Sequence, residues 1–233
     1  MQIKKEKFKA IFFDRDGTLT YYNPIKKKWL ADTVKGWSGI DFELPYEKMM
    51  NIFNLASEGK TPWYKNVDDE REFNKRYYYY LLIEEGVTED LKKKAELLFS
   101  EIWCNNDRLL YPETVEVLEY FYNKNYKMGV ISDTSPSLEY TLQQLGISKY
   151  FGSFTASSLV GVGKPNPIIY NAALNSLNVT AKESIYIDDY DIEADGARDI
   201  GMTAFWLDRS GISNKTWTVK NLNGIIEYVE NLI

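Results

Sequence analysis

The chain has 233 residues, of which 44% are hydrophobic and 27% are charged, so it can bury the core of one large domain or of one domain with an insert. Its net charge of −6 excludes non-specific binding to nucleic-acid phosphates, which requires a basic face. The chain contains no histidine, which excludes histidine general bases and histidine-ligated zinc and leaves acid–base chemistry to carboxylates, lysine, tyrosine or cysteine.

A single cysteine, Cys104, forms no internal disulfide, which is typical of a reducing cytoplasm. No stretch approaches the ~18 apolar residues of a membrane-spanning helix. The apolar run near the N-terminus is too short for a signal peptide and ends in Asp14. We therefore expect a cytoplasmic monomer or homodimer that binds neither membranes nor nucleic acids.

The first predicted strand covers residues 10–13 and is apolar without alternation, as in a strand buried on both faces of a parallel sheet. The region that follows is rich in aromatic residues, lysine and glutamate. It predicts helices over residues 46–57, 68–85 and 89–104, the last with Thr88 as its N-cap, and residues 23–44 fit no clear pattern. We predict that residues 20–110 form a helical cap inserted into a core made of residues 1–19 and 111–233.

Strands and helices alternate in the remainder of the chain. Strands are predicted over residues 127–132, within 150–157, and over 184–187 and 202–207. Helices are predicted over residues 112–125, 136–145, 166–177, 192–201 and 222–232. This alternation predicts an α/β fold built on a doubly wound parallel sheet with right-handed crossovers.

Ligands bind outside the carboxyl ends of the strands in such a sheet, so polar residues at those ends are candidate site residues. Seven residues at strand ends or at the start of a following helix meet this condition: Asp14, Asp16, Ser132, Asp133, Lys164, Asp188 and Asp189. Clustered carboxylates repel one another unless a cation joins them, and oxygen ligands favour Mg²⁺ or Ca²⁺. Asp14, Asp188 and Asp189 would make a Mg²⁺ site, which favours a phosphate-bearing substrate.

These stretches resemble the four motifs of the haloacid dehalogenase superfamily, most of whose members are Mg²⁺-dependent phosphatases with an aspartate nucleophile. The first motif is complete as DRDGTLT, and the second is the strand KMGVIS. The third is the lysine of GVGKPNPIIY, and the fourth is YIDDYDIEADGARDIGM. The resemblance covers residues 9–207 and implies the Rossmann-like core of this family, with a helical cap between the first two motifs.

The resemblance also implies roles for the catalytic residues. Asp14 would be the nucleophile that forms an aspartyl-phosphate, and Asp16 would protonate the leaving oxygen and then activate water. Ser132 would donate a hydrogen bond to a phosphoryl oxygen. Lys164 would hold Asp14 and the phosphate in place and offset developing charge.

Further residues are implied in metal and substrate binding. The Mg²⁺ ligands would be Asp14, the backbone carbonyl of Asp16, and Asp189, with Asp188 as a further ligand. Because Asp188 stands where the family commonly has glycine, the number of ligands is open. A separate set of residues is expected to contact the substrate: Arg15, Thr18, Ser132, Asp133 and Lys164. Glu193 is expected to be a hydrogen-bond acceptor rather than a metal ligand.

We therefore expect a Mg²⁺-dependent phosphatase that acts on a small phosphorylated metabolite. Dehalogenases of the superfamily lack the second aspartate, here Asp16, and its sugar-phosphate mutases carry a cap histidine, so both activities are disfavoured. A phosphotransferase, a phosphonatase and a non-catalytic phospholigand-binding protein on the same fold stay open as alternatives.

Aromatic residues of the cap are expected to pack between helices rather than to contact substrate: Trp63, Tyr64 and Tyr77–Tyr80.

Overall fold

A parallel sheet with helices on both faces lies at the centre of the protein. The computed structural model describes residues 8–59 and 64–232. The strands of the described residues are β1 (Ala10–Phe13), β2 (Thr20–Tyr22), β3 (Arg108–Leu110), β4 (Lys127–Ser132), β5 (Ser153–Ala156), β6 (Ser184–Asp188), β7 (Thr203–Leu207) and β8 (Thr218–Val219). Six of them form a parallel sheet in the order β5-β4-β1-β6-β7-β8, so β1 occupies its middle.

The helices divide into two groups along the chain. Four precede β3, namely α1 (Pro24–Ser38), α2 (Tyr46–Ala56), α3 (Val67–Glu84) and α4 (Leu91–Ile102). The others alternate with strands of the main sheet: α5 (Thr114–Asn123), α6 (Leu138–Gln144), α7 (Ser157–Val160), α8 (Pro167–Leu177), α9 (Asp191–Asp199) and α10 (Asn223–Glu230). The α/β fold with a doubly wound parallel sheet, predicted from the sequence, is confirmed.

Both faces of the sheet are covered, which explains the unbroken apolar run of β1. Ile11 and Phe13 pack on one face with side chains of α5, α6 and α10. Ala10 and Phe12 pack on the other face with side chains of α8 and α9. All four side chains are fully buried, so the strand has no solvent-facing side that would require polar residues.

The four helices before β3 form a helical insert with an apolar core of its own. Its buried members include Val34, Ile52, Leu81 and Leu98, one from each helix. The insert begins after β2 and ends before β3, and these two strands pair antiparallel as a separate two-stranded ribbon. Among the described residues, no helix is long and apolar enough to cross a membrane.

The structure adds elements that the sequence patterns did not indicate. Residues 23–44 contain α1, whose N-cap Asn23 accepts a hydrogen bond from the backbone N–H of Ile25. Strands β2, β3 and β8 were not predicted, because two or three residues are too few to show an alternating pattern. The predicted N-cap Thr88 was wrong, since Asp90 directly precedes α4.

Truncation of a core side chain on α5 should destabilise the whole α/β core. Leu118 is fully buried, so Leu118→Ala removes apolar contacts and leaves a cavity, at an expected cost of about 2–5 kcal/mol in the free energy of unfolding. Val115→Ala on the same helix is the matched control, because Val115 is exposed, and it should change stability by less than about 0.5 kcal/mol. Urea denaturation followed by circular dichroism measures both values. Equal losses would contradict the assignment of this helix face to the core.

Candidate active site

The carboxyl edge of the sheet brings three predicted site residues side by side. Because β1 lies between β4 and β6, the residues that follow or end these strands meet at one edge: Asp14, Ser132 and Asp188. The backbone N–H of Asp14 donates to the carbonyl of Ile187 at 2.9 Å, which extends the ladder by one residue. All three candidate residues are buried.

The chain turns sharply after Asp16, and this turn requires a glycine. Gly17 has a φ of 85°, in the left-handed region that side chains disfavour. A Cβ atom at this position would also overlap the carboxylate of Asp189. The Asp189 side chain therefore lies directly against the loop that follows β1.

The ammonium group of Lys164 is buried among acidic side chains. Its Nζ atom lies 2.8 Å from Oδ1 of Asp14 and 2.7 Å from Oδ2 of Asp188. A third carboxylate, that of Glu193, lies 2.6 Å away. Nζ also donates to the hydroxyl of Tyr186 at 3.1 Å, and this hydroxyl donates to Asp188. Burial opposes the charged amine, but the surrounding carboxylates raise the pKa of Lys164 well above its usual value.

Three carboxylates at this edge form a cluster whose chemistry fits a divalent cation. Oxygen atoms of Asp14, Asp188 and Asp189 all lie within 4.8 Å of one another. Burial raises the pKa of Asp14 despite the nearby Lys164, and burial together with the charge of Asp188 raises the pKa of Asp189 to about 6. One ammonium group does not neutralise three carboxylates, whereas a cation with oxygen ligands, such as Mg²⁺, would favour their charged forms.

Asp16 lies outside this cluster, between two arginine side chains. Its carboxylate accepts hydrogen bonds from Nη2 of Arg15 at 2.6 Å and from Nε and Nη2 of Arg108 at 2.7 and 3.2 Å. The hydroxyl of Thr20 donates to it at 3.0 Å. Burial opposes ionisation, but the two guanidinium groups outweigh burial and hold the pKa of Asp16 well below its usual range. Asp16 is therefore ionised in this arrangement.

Two other predicted substrate-binding residues have partners within the protein. Both carboxylate oxygens of Asp133 accept from the backbone N–H of Lys164, at 3.0 and 3.2 Å, and so fix the loop that carries the lysine. Thr18 is fully buried, and its backbone carbonyl accepts from Nη2 of Arg209 at 2.6 Å, whereas its side-chain hydroxyl has no hydrogen-bond partner among the described residues. Both residues thus hold the loops around the carboxylate cluster.

A cavity of about 280 Å³ lies between the helical insert and the loop that follows β4. The insert contributes a largely aromatic wall that includes Tyr64, Tyr78 and Trp103. Arg15 and Thr134 belong to the opposite wall, and Nη2 of Arg15 donates to the hydroxyl of Thr134 at 2.9 Å. The cavity therefore adjoins the loops that carry Asp14 and Ser132, without including those two residues in its wall.

The aromatic residues of the insert have mixed surroundings. Tyr77–Tyr80 belong to the apolar core of the insert or pack against it, as predicted. Tyr64 and Tyr78 also line the cavity, so packing is not their only contact. Trp63 lies outside the described residues.

Some side chains that act on these loops were missed from the sequence. Tyr186 stands two residues before Asp188 and therefore on the same side of β6, so strand alternation was the signal that could have found it. Arg108 lies 92 residues from Asp16 in the chain, and Arg209 is separated from Thr18 by 191 residues. Nothing in the local sequence of either arginine points to these long-range contacts.

Similarity to known proteins agrees with this geometry. A family model described as haloacid dehalogenase-like hydrolase matches residues 8–201. The chain belongs to the haloacid dehalogenase-like hydrolase family. Within it, the chain is 25% identical to glyceraldehyde 3-phosphate phosphatase of Methanocaldococcus jannaschii, over 96% of this chain and 98% of that protein. It is also 25% identical to phosphoglycolate phosphatase of Vibrio parahaemolyticus, over 64% of this chain and 70% of that protein.

Solved structures agree at the level of the fold. The crystal structure of a haloacid dehalogenase-type phosphatase from Thermococcus onnurineus superposes with a TM-score of 0.64 at 22% sequence identity. The match covers 95% of this chain and 97% of that chain. The family membership inferred from the four motifs is confirmed by the family model, and the solved structure confirms the fold.

Removal of the shared ammonium group should destabilise the haloacid dehalogenase-like core. Lys164→Met leaves Asp14 and Asp188 as buried carboxylates without a counter-charge, and we expect a loss of about 3–5 kcal/mol in the free energy of unfolding. The deficit should be smaller at pH 5 than at pH 8, because burial raises the pKa of Asp14, which therefore takes up a proton more readily in the folded than in the unfolded state.

The control for this prediction is Lys215→Met, which removes an equal charge from an exposed ion pair with Asp191. It should leave the midpoint of urea denaturation close to that of the wild type, because exposed ion pairs contribute little to stability. Urea denaturation without divalent cations measures both variants. Equal stability of the two would argue against a compensating role for the buried lysine.

Proposed function

We propose that the protein is a Mg²⁺-dependent phosphatase that hydrolyses a small phosphorylated metabolite through an aspartyl-phosphate on Asp14. Phosphatase activity in general follows from the family match and from relatives that are named as phosphatases. The observation that carries the finer proposal is the cluster of Asp14, Asp188 and Asp189 beside the buried ammonium group of Lys164. The proposed nucleophile, the proposed oxygen ligands and a buried positive charge therefore share one strand edge, which supports this assignment of roles.

The first proposed step forms the covalent intermediate. A carboxylate oxygen of Asp14 attacks the phosphorus atom, a new P–O bond forms, and the bond from phosphorus to the leaving oxygen breaks. Asp16 gives its proton to the leaving oxygen, which departs as an alcohol. For this step Asp16 has to take up a proton and turn away from Arg15 and Arg108, because its ion pairs with them favour the charged form.

The second proposed step releases phosphate. A water molecule attacks the phosphorus atom and gives a proton to the ionised Asp16. The bond between phosphorus and Asp14 breaks, which restores the Asp14 carboxylate and frees inorganic phosphate. Asp16 ends the cycle protonated and ready to donate again.

The remaining groups would bind and orient. Lys164 holds the Asp14 carboxylate in place, and Ser132 and Arg15 are proposed to donate hydrogen bonds to the substrate. Mg²⁺, when bound by the three clustered carboxylates and the backbone carbonyl of Asp16, would offset the negative charge of the phosphoryl group and the nucleophile. Direct contacts of the substrate with Thr18 and Asp133 stay predictions.

We further propose that the helical insert acts as a cap over the site. Residues of α2, α3 and α4 and of the loop after β4 line the cavity, which supports a role in excluding water during the reaction. The division into a core of residues 1–19 and 111–233 and a cap of residues 20–110 stays a prediction. So do the cytoplasmic location and the monomeric or homodimeric state.

Substitution of the nucleophile should abolish turnover without loss of the fold. Asp14→Asn removes the attacking carboxylate, so release of phosphate from p-nitrophenyl phosphate and from small sugar phosphates should fall by at least about 10³-fold. The matched control is Asp191→Asn, a carboxylate near Asp189 that pairs with Lys215 instead. It should retain activity, and a chelator should remove the activity of both the wild type and this control. Full activity of Asp14→Asn would exclude the proposed intermediate.

Affinity for Mg²⁺ should rise with pH through the titration of Asp189. Since the pKa of Asp189 is raised to about 6, part of its population carries a proton near neutrality and must release it when the cation binds. We expect Mg²⁺ to bind more tightly as the pH rises from about 5 to 7, by up to about tenfold per unit. Calorimetric titration in two buffers of different ionisation enthalpy measures both the affinity and the released protons. Binding that is independent of pH and releases no protons would count against this carboxylate as a ligand.

A further inference from the structure

The wall of the cavity between insert and core contains hydrogen-bond donors that the protein itself does not use. Among the described residues, seven side-chain atoms are buried without a hydrogen-bond partner, and two of them, Nε of Arg15 and the hydroxyl of Tyr64, belong to residues that line the cavity. Arg15 is 97% buried, and the Nε–H of an arginine can only donate. Because buried polar groups are nearly always paired, Nε of Arg15 points to a ligand that brings an acceptor, and the hydroxyl of Tyr64 is able to donate to such a ligand as well.

Two acidic side chains in the same wall accept hydrogen bonds from other groups of the protein. The carboxylate of Glu70 accepts from the indole N–H of Trp103 at 3.0 Å and from the backbone N–H and hydroxyl of Ser137 at 2.8 and 2.7 Å. Asp107 accepts from Nη1 of Arg108. The cavity therefore offers unpaired donors to a ligand, whereas the Glu70 and Asp107 carboxylates already accept hydrogen bonds from the protein itself.

The unused donor of Arg15 lies beside the residue that is proposed to protonate the leaving group. Nη2 of Arg15 contacts the Asp16 carboxylate at 2.6 Å, so the same guanidinium group borders both Asp16 and the cavity. Arg108 donates to the Asp16 carboxylate through Nε and Nη2, so both arginines together offset the negative charge of Asp16. The leaving group of a substrate, which has to reach Asp16, would therefore extend past Arg15 into the cavity.

We propose that Nε of Arg15 and the hydroxyl of Tyr64 bind an oxygen acceptor on the leaving group. The substrates are then phosphomonoesters of small alcohols that carry a carboxylate or carbonyl oxygen near the ester carbon. This inference rests on the proposed phosphatase function and names its substrate class. The volume of about 280 Å³ is at the lower end of ligand pockets, which suits a leaving group of a few carbon atoms.

Matched pairs of esters test this substrate class directly. The kcat/KM values of the wild type are measured with Mg²⁺ for phosphoglycolate against ethyl phosphate, and for dihydroxyacetone phosphate against propyl phosphate. The carboxylate and ketone esters should each exceed their alkyl partner by about tenfold or more, the gain expected from one hydrogen bond to a charged donor. Phosphoethanolamine, which carries a donor in place of an acceptor, should be no better than ethyl phosphate. Equal values within both pairs would overturn the proposal.

Substitutions distinguish two roles of Arg15, namely binding of the leaving group and stabilisation of the Asp16 carboxylate. Arg15→Met should reduce the preference for phosphoglycolate over ethyl phosphate by about tenfold, and Tyr64→Phe should reduce it by about threefold. Lys28→Met, which removes a positive charge from an exposed position on α1, should leave the preference unchanged. If Arg15→Met lowers kcat/KM equally for both esters and Tyr64→Phe has no effect, Arg15 serves only Asp16 and the proposal fails.

Binding measurements on a variant without turnover distinguish failure of the proposed substrate class from failure of the proposed phosphatase function. Calorimetric titration of the Asp14→Asn variant with the same esters measures their affinities, and phosphoglycolate should bind about tenfold more tightly than ethyl phosphate. If the wild type turns over none of the esters but the variant shows this preference, the proposed phosphatase function is wrong and the proposed site for a leaving-group oxygen stands. If the wild type turns over every ester and the variant binds them equally well, the phosphatase function stands. In that case only water pairs with Nε of Arg15 and the hydroxyl of Tyr64, and the proposed substrate class is wrong.

Discussion

The buried ammonium group of Lys164 is the interaction on which the active site depends. A charged amine is expensive to remove from water, so it has to be surrounded by acceptors in fixed positions. The loop before it meets this demand, because Asp133 holds the backbone N–H of Lys164 and Gly163 leaves room for the Asp133 carboxylate, which a Cβ atom there would approach to 2.7 Å. The hydroxyl of Tyr186, on β6, accepts a hydrogen bond from Nζ of Lys164 and donates one to Asp188. Several residues of the chain therefore serve to stabilise this one buried charge.

Topology explains why residues so distant in sequence meet around this charge. A parallel sheet directs all its carboxyl ends to one edge, and the strand in its middle has a neighbour on each side. Asp14, the proposed nucleophile, follows the central strand, and Ser132 and Asp188 are the last residues of the neighbouring strands. Helices on both faces bury the strands and keep them in register, so the positions of the site residues follow from the packing of the core.

The fold and the membership of the carboxylate cluster were predictable because both follow from short-range patterns. Alternation of strands and helices indicated the sheet, and polar residues after apolar strands indicated its edge. The contacts of Arg108 and Arg209 were not predictable, since they join segments whose relative placement depends on the whole fold. The same holds for Asp133, whose carboxylate is turned to the backbone of Lys164, because sequence position places a side chain near a site without fixing its direction.

The two-stranded ribbon at the base of the insert has a consequence for the history of such proteins. Tyr22 is paired with Arg108, so the chain leaves the α/β core and returns to it at nearly the same point. A segment whose ends already lie together can be lengthened, shortened or exchanged at little entropic cost to the rest of the molecule. The ribbon therefore allows the helical insert to change in length and sequence without displacing the strand edge that carries Asp14, Ser132 and Asp188.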